Sequence, residues 1–204
     1  MSIASLCLTR HNDSVKAKTR LRIVGGSLRG RKLTCLVEPG LRPTPDMVRE
    51  ALFNILADVV PGRPFFDLFA GTGAVGLEAL SRGASAVEFI ERDPRLAGEI
   101  LHHLQAFGVA DRGQVHRADV YRWVDRWRPS AEPVTLFLGP PFPDFEHRLE
   151  ALLQTVSGLA QKSEAGSVLV LQSEKSFDPG LLPDASRWDQ RLYGRNRLSI
   201  LLKE

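Results

Sequence analysis

Residues 66–76 read Phe-Asp-Leu-Phe-Ala-Gly-Thr-Gly-Ala-Val-Gly, and this stretch constrains the chain most. An apolar run ends near Asp67, a glycine-rich turn follows, and a helical pattern begins near Ala74. Gly71 and Gly73 permit left-handed backbone and close approach of a ligand. The start of the helix adds N–H groups that lack intrahelical partners. A strand–turn–helix of this kind opens an α/β sheet, with its ligand seated beyond the carboxyl end of the strand.

Asp67 narrows the choice of ligand. Its charge at the mouth of the turn repels a pyrophosphate and attracts a cationic amino-acid head group. That favours S-adenosylmethionine, which carries a sulfonium and an ammonium, over a dinucleotide. The glycines alone leave three readings open. Gly71, Gly73 and Gly76 also satisfy G-x-G-x-x-G, with Glu91 at the spacing of a ribose-binding acid; a strand–turn–helix with no ligand is the third reading.

The pattern downstream alternates strands and helices. Strands are expected at 64–68, 86–91, 114–117, 134–138, 167–173, 187–193 and 197–203. Helices are expected at 74–82, 94–107, 119–127, 145–160 and 178–181. Strands separated by helices imply a parallel sheet with right-handed crossovers. Only Gly194-Arg195-Asn196 separates the last two strands, which predicts an antiparallel hairpin at one edge. The fold class is therefore α/β: a Rossmann-like, seven-stranded, mostly parallel sheet of the class I methyltransferase kind. Upstream, 21–24 and 31–36 read as a hairpin around a glycine-rich turn. Residues 40–45 form a loop broken by Pro43 and Pro45, and Asp46 caps a helix over 46–58. Its inward positions are Val48, Ala51, Leu52, Ile55 and Leu56. The expected organisation is a tail at 1–19, a basic extension at 20–60 and a catalytic domain at 61–204.

Four strand ends carry candidate site residues. The first gives Asp67, Phe69, Ala70, Gly71, Thr72 and Gly73 around the cofactor. The second gives Glu91 and Arg92, followed by Asp93; one carboxylate there can accept both ribose hydroxyls. Ala118 and Asp119 follow the third, where an acid can accept from an adenine amine. The fourth ends in Gly139-Pro140-Pro141-Phe142. Consecutive prolines hold the chain rigid, the carbonyls can accept from an exocyclic base amine, and Phe142 offers a stacking face for a flipped-out base. These four residues are the candidate catalytic set. His102 and His103 read as helix surface, and Trp123 with Trp127, spaced i, i+4, as packing.

Charge is uneven. The net value is only +3, but residues 1–42 hold nine Lys or Arg against two acids, Asp13 and Glu38. A basic arm on a mildly acidic body points to a polyanionic partner. No apolar run approaches a membrane span. Cys7 and Cys35 have no metal-ligand spacing, so no metal is expected, and a reducing cytoplasm fits them.

Taken together, Arg22-Ile23-Val24-Gly25-Gly26, Arg29-Gly30-Arg31-Lys32-Leu33, Gly40-Leu41-Arg42-Pro43-Thr44, Val48 to Asn54 and Asp67 to Gly83 resemble the bacterial 16S ribosomal RNA guanine-N2 methyltransferase family. The resemblance is specific over 22–93, continues in order to about 203 and is absent before 20. It implies methyl transfer from S-adenosylmethionine to a guanine N2 of 16S rRNA, free or in a 30S assembly particle, by a cytoplasmic monomer. Arg22, Arg29, Arg31, Lys32, Arg42 and Thr44 would then meet RNA. The pattern departs at Gly139, where the family resembled carries Asp. A cofactor- and RNA-binding relative with weak or lost catalysis is one alternative, and a methyltransferase of another base is a second.

Overall fold

A computed structural model describes residues 17–37, 43–128 and 131–204. It opens with an antiparallel pair, β1 (Ala17–Arg22) and β2 (Lys32–Val37). The expected hairpin is present, but β1 begins inside the segment read as a tail and stops before Ile23. Ile23 instead closes the turn: its N–H donates to the Arg31 carbonyl and its own carbonyl accepts from Gly30, both at 2.9 Å.

Helix α1 (Asp46–Ile55) is shorter than its pattern suggests. Pro45, not Asp46, holds the N-cap position, and its carbonyl accepts from Val48 and Arg49 at 3.0 Å. The Asp46 carboxylate is drawn instead to Arg49 and Arg22. The inward face comprises Val48, Arg49, Leu52 and Phe53. Ile55, expected inside, is 37% exposed.

The main sheet comprises β3 (Phe65–Leu68), β4 (Val87–Glu91), β5 (Gly113–Arg117), β6 (Thr135–Leu138), β7 (Val168–Glu174), β8 (Asp189–Tyr193) and β9 (Asn196–Leu202). Their order is β5-β4-β3-β6-β7-β9-β8. The strands β3 to β7 pair in parallel, and β9 runs antiparallel to both β7 and β8. Helices α2 (Ala74–Ser81), α3 (Pro94–Phe107) and α4 (Val120–Arg126) supply the first crossovers. The single helix expected at 145–160 is two, α5 (Asp144–His147) and α6 (Leu149–Lys162). They break at Arg148, whose φ of −135° leaves the helical region. The segment near 178–181 is one 3₁₀ turn, Pro179–Leu181.

Period-two alternation splits the strands between two cores. Phe65, Phe89, Phe137 and Val170 face one side, where Ile23, Leu33, Val48 and Phe53 join them. Phe66, Leu68, Ile90, Leu136 and Leu169 face the other, against Val124, Trp127, Val156 and Leu159. Trp123 and Trp127 stack at 5.9 Å, as their spacing suggests. His103 is not a surface residue. It is 5% exposed, and burial first, then His102, lowers its pKa.

The hairpin turn is latched to α2. Both Glu78 carboxylate oxygens accept backbone N–H groups, from Val24 and Gly25 at 2.8 Å. Ser81 Oγ accepts from Leu28 N–H at 2.9 Å and donates to the Gly25 carbonyl. Gly26, at φ 73°, lies so close that a Cβ would sit 1.9 Å from the Ser81 carbonyl oxygen. The glycine-rich turn thus serves a close approach. Ser81→Ala strands the buried Leu28 N–H and is expected to cost about 1–2 kcal/mol, a melting temperature roughly 3–6 °C lower by calorimetry.

Candidate active site

β3 lies between β4 and β6, so the chain departs in opposite directions on either side of it, and a crevice opens beyond the carboxyl ends of these strands. A cavity of about 410 Å³ fills it. Asp67, Phe69, Ala70, Gly71 and Thr72 line it from β3, Glu91 and Arg92 from β4, and Ala118 and Asp119 from β5. Gly139, Pro140, Pro141 and Phe142 line it from β6, and Thr44 borders it from the extension. The four strand ends read from the sequence therefore meet in one space. Gly73 stands outside the wall as the left-handed N-cap of α2, where a Cβ would press Ile100 at 2.8 Å.

Asp67 is buried, and its Oδ2 accepts from Gly76 N–H at 2.8 Å, so the acid caps α2 from across the turn. Burial pushes its pKa up to about 8, against the Gly76 hydrogen bond, and Glu91 raises it further. Glu91 is also buried; its two oxygens accept from Gly71 N–H and Asp93 N–H, each at 2.7 Å. Burial raises its pKa against those bonds. Each Glu91 oxygen thus already holds a backbone donor and has one lone-pair direction left for a hydroxyl. Asp119 caps α4 through Tyr121 N–H at 2.9 Å and lies 3.5 Å from Arg148 Nη1. Phe69 carries a positive φ of 65°, a strained conformation for an aromatic residue; its ring meets Tyr121 edge-on at 5.4 Å.

At the fourth strand end, Gly139 N–H donates to the Leu68 carbonyl at 3.1 Å. The carbonyls of Gly139 and Pro140 accept from no donor among the described residues. A cavity walled by the buried carboxyls of Asp67 and Glu91 suits a cationic nucleoside, and its volume lies within the usual range for small-molecule sites. Among the described residues no group of three His, Cys, Asp or Glu could hold a metal ion, and no helix is long and apolar enough to cross a membrane.

The candidate RNA residues divide. Arg29, Arg31 and Lys32 are exposed at the end of the hairpin, with Arg31 5.8 Å from the Phe107 ring centre. Arg22 is tied to Asp46 at 3.2 Å, while Thr44 donates to Gln172 at 2.7 Å. Arg42 lies outside the described residues. Sequence reasoning left Asp144 unplaced and missed Tyr121 at the cavity, Arg148 over the Tyr121 ring and Arg49, which donates to the Thr44 carbonyl. None stands in a glycine motif or at a strand terminus, so no local pattern marks them.

A family model described as Conserved hypothetical protein 95 matches residues 21–202. The chain belongs to this family. Within it, ribosomal RNA small subunit methyltransferase D of Escherichia coli (strain K12) is 34% identical over 169 residues, 83% of this chain and 81% of that protein. The solved structure of yhhF from Escherichia coli matches 91% of this chain and 99% of its own length, with a TM-score of 0.73 and 28% identity. An RNA methyltransferase from Salinibacter ruber, solved with S-adenosyl-L-homocysteine, shares the fold at a TM-score of 0.56 and 22% identity, over 79% of this chain and 94% of that one. The chain thus has the class I methyltransferase fold.

Proposed function

We propose that this chain transfers a methyl group from S-adenosylmethionine to the exocyclic N2 of a guanine in small-subunit ribosomal RNA. Methylation of rRNA with S-adenosylmethionine is the activity its family carries; the guanine amine is the finer reading. One observation supports it above the rest: the carboxyl-lined nucleoside cavity opens directly onto the Gly139-Pro140-Pro141-Phe142 corner, whose first two carbonyls are free to accept.

Bound in the cavity, S-adenosylmethionine supplies a methyl group on a sulfonium. Asp67 meets the ammonium, Glu91 the ribose and Asp119 the adenine amine. A carbonyl of the Gly139-Pro140 corner accepts from the target amine and helps fix its direction. Phe142 stacks on the flipped base, a contact of about 1–3 kcal/mol. The corner works chiefly by holding the amine in line. Arg29, Arg31 and Lys32 contact phosphates, which sets register without reading sequence.

The test is transfer from labelled S-adenosylmethionine to small-subunit rRNA lacking the modification, followed by nucleoside identification. Label in N2-methylguanine is the expected result, and label in another base overturns the guanine reading. Gly139, in place of an acid, favours a second reading, in which cofactor and RNA are bound and chemistry is lost. In that case both bind, no label is transferred, and Gly139→Asp restores it.

A further inference from the structure

We propose that Asp144 is a catalytic residue, supplying to the target amine the side-chain acceptor that position 139 lacks, and that Tyr121 is the positioning residue that aims it. The inference rests on the reading of the cavity as a methyl-transfer site. From Gly139 to Pro143 no side chain can accept a hydrogen bond, and Asp144 is the first that can. The chain folds back to bring it near: Asp144 N–H donates to the Pro141 carbonyl at 2.9 Å, and Phe145 N–H to the Phe142 carbonyl at 3.1 Å. Asp144 and Tyr121 line the same cavity as the Gly-Pro-Pro-Phe corner.

The orientation of the carboxylate is over-determined. Tyr121 donates its hydroxyl to Asp144 Oδ2 at 2.6 Å. The Tyr121 ring is held by the edge contact with Phe69 and by the Arg148 guanidinium 3.8 Å from its centre. Arg148 is itself anchored toward Asp119. Burial, then the bond to Asp144, raises the Tyr121 pKa, so the phenol stays a donor. Asp144 Oδ1 accepts from no donor among the described residues.

A guanine amine has two N–H groups. One donates to a carbonyl of the Gly139-Pro140 corner and the other to Asp144 Oδ1, which turns the nitrogen lone pair toward the methyl. The lone pair forms the N–C bond as the C–S bond breaks. The pair from that bond stays on sulfur, which leaves as a neutral thioether. The surplus proton on nitrogen passes to Asp144 Oδ1 and from there to water.

The test compares Asp144→Asn, Tyr121→Phe and Gly139→Asp combined with Asp144→Asn, on unmodified small-subunit rRNA. With asparagine, the Tyr121 hydroxyl takes the amide oxygen and an NH₂ faces the amine. Asp144→Asn is expected to lower kcat about 10- to 100-fold with KM for S-adenosylmethionine little changed. Tyr121→Phe is expected to lower kcat roughly 3- to 10-fold. Adding Gly139→Asp should recover most of the loss; its Cβ would lie 3.1 Å from Phe137 Cε1, close enough to need only a small shift of that ring. A second readout is independent of turnover: with S-adenosylhomocysteine bound, Asp144→Asn should weaken equilibrium binding of the unmodified RNA several-fold. The inference is overturned by a kcat within about two-fold of the natural protein, by a loss of cofactor affinity as large as the loss of kcat, or by rescue failing in a folded double variant. It is also overturned if the natural protein binds both partners and transfers nothing while Gly139→Asp alone is active, an outcome that leaves the rRNA reading standing. Label in a base other than guanine overturns that reading alone, and the same rescue then judges Asp144.

Discussion

Arg49→Met is expected to destabilise the protein by about 3 kcal/mol, lowering its melting temperature by roughly 6–12 °C. The Arg49 side chain is fully buried, yet it carries a charge. Nη1 donates to the Thr44 carbonyl at 2.7 Å, and Nη2 to the Arg22 carbonyl at 2.6 Å and to Asp46 Oδ1 at 3.0 Å. One guanidinium thus ties the end of β1, the start of α1 and the loop that carries Thr44 to the cavity. A charge-assisted bond of this kind is worth about 1.5–3 kcal/mol, and methionine leaves two carbonyls without their donor. The unpartnered Nε offsets part of this, because burying that group already costs free energy. Methionine preserves volume, so a cavity does not explain the loss. Arg49→Lys should fare little better, since an ammonium cannot span the fork. Calorimetry on the three proteins checks the effect. A change under about 1 kcal/mol in Arg49→Met would show that the latch is redundant.

Asp67→Asn should separate binding from stability. The carboxyl has a folded pKa of about 8 against an ordinary 3.8. The folded state therefore holds a proton that the unfolded state has released. Stability contributed by this group is full below about pH 4, falls as the pH rises toward 8, and is lost above that. Asparagine keeps an oxygen for the Gly76 N–H and has nothing to ionise. The variant should match the natural protein near pH 4 and be the more stable of the two above pH 8. Its affinity for S-adenosylmethionine should nonetheless fall roughly 30- to 150-fold, about 2–3 kcal/mol, because the ammonium loses its proposed partner. In the natural protein affinity should weaken as the pH drops from 8 to 6, with protons released on binding, and the variant should lack that slope. Titration calorimetry in buffers of different ionisation heat measures both. Unchanged affinity in the variant would remove Asp67 from the site.

Much of this protein was legible in its sequence because the informative patterns are local. Alternation of strands and helices, with a three-residue turn near the end, determined the α/β class and the antiparallel edge. Gly71, Gly73 and the acids at successive strand ends determined where a ligand could sit, since topology alone brings the carboxyl ends of parallel strands to one crevice. The tertiary structure decided what depends on partners distant in the chain. Glu78 accepts from Val24 and Gly25 across more than fifty residues, which explains glycines that otherwise read only as a turn. Arg49 sits on an apolar helix face where periodicity expects a hydrophobe, and it is buried because carbonyls from two other segments surround it. Asp144 lies close in sequence to the Gly-Pro-Pro-Phe corner, but spacing alone does not place its side chain. Only the Tyr121 hydroxyl, reaching from a different crossover, turns it to the cavity. Sequence spacing encodes which residues share a face; which distant polar groups satisfy each other is set when the faces pack, because a buried donor or acceptor must find its partner wherever the fold provides one.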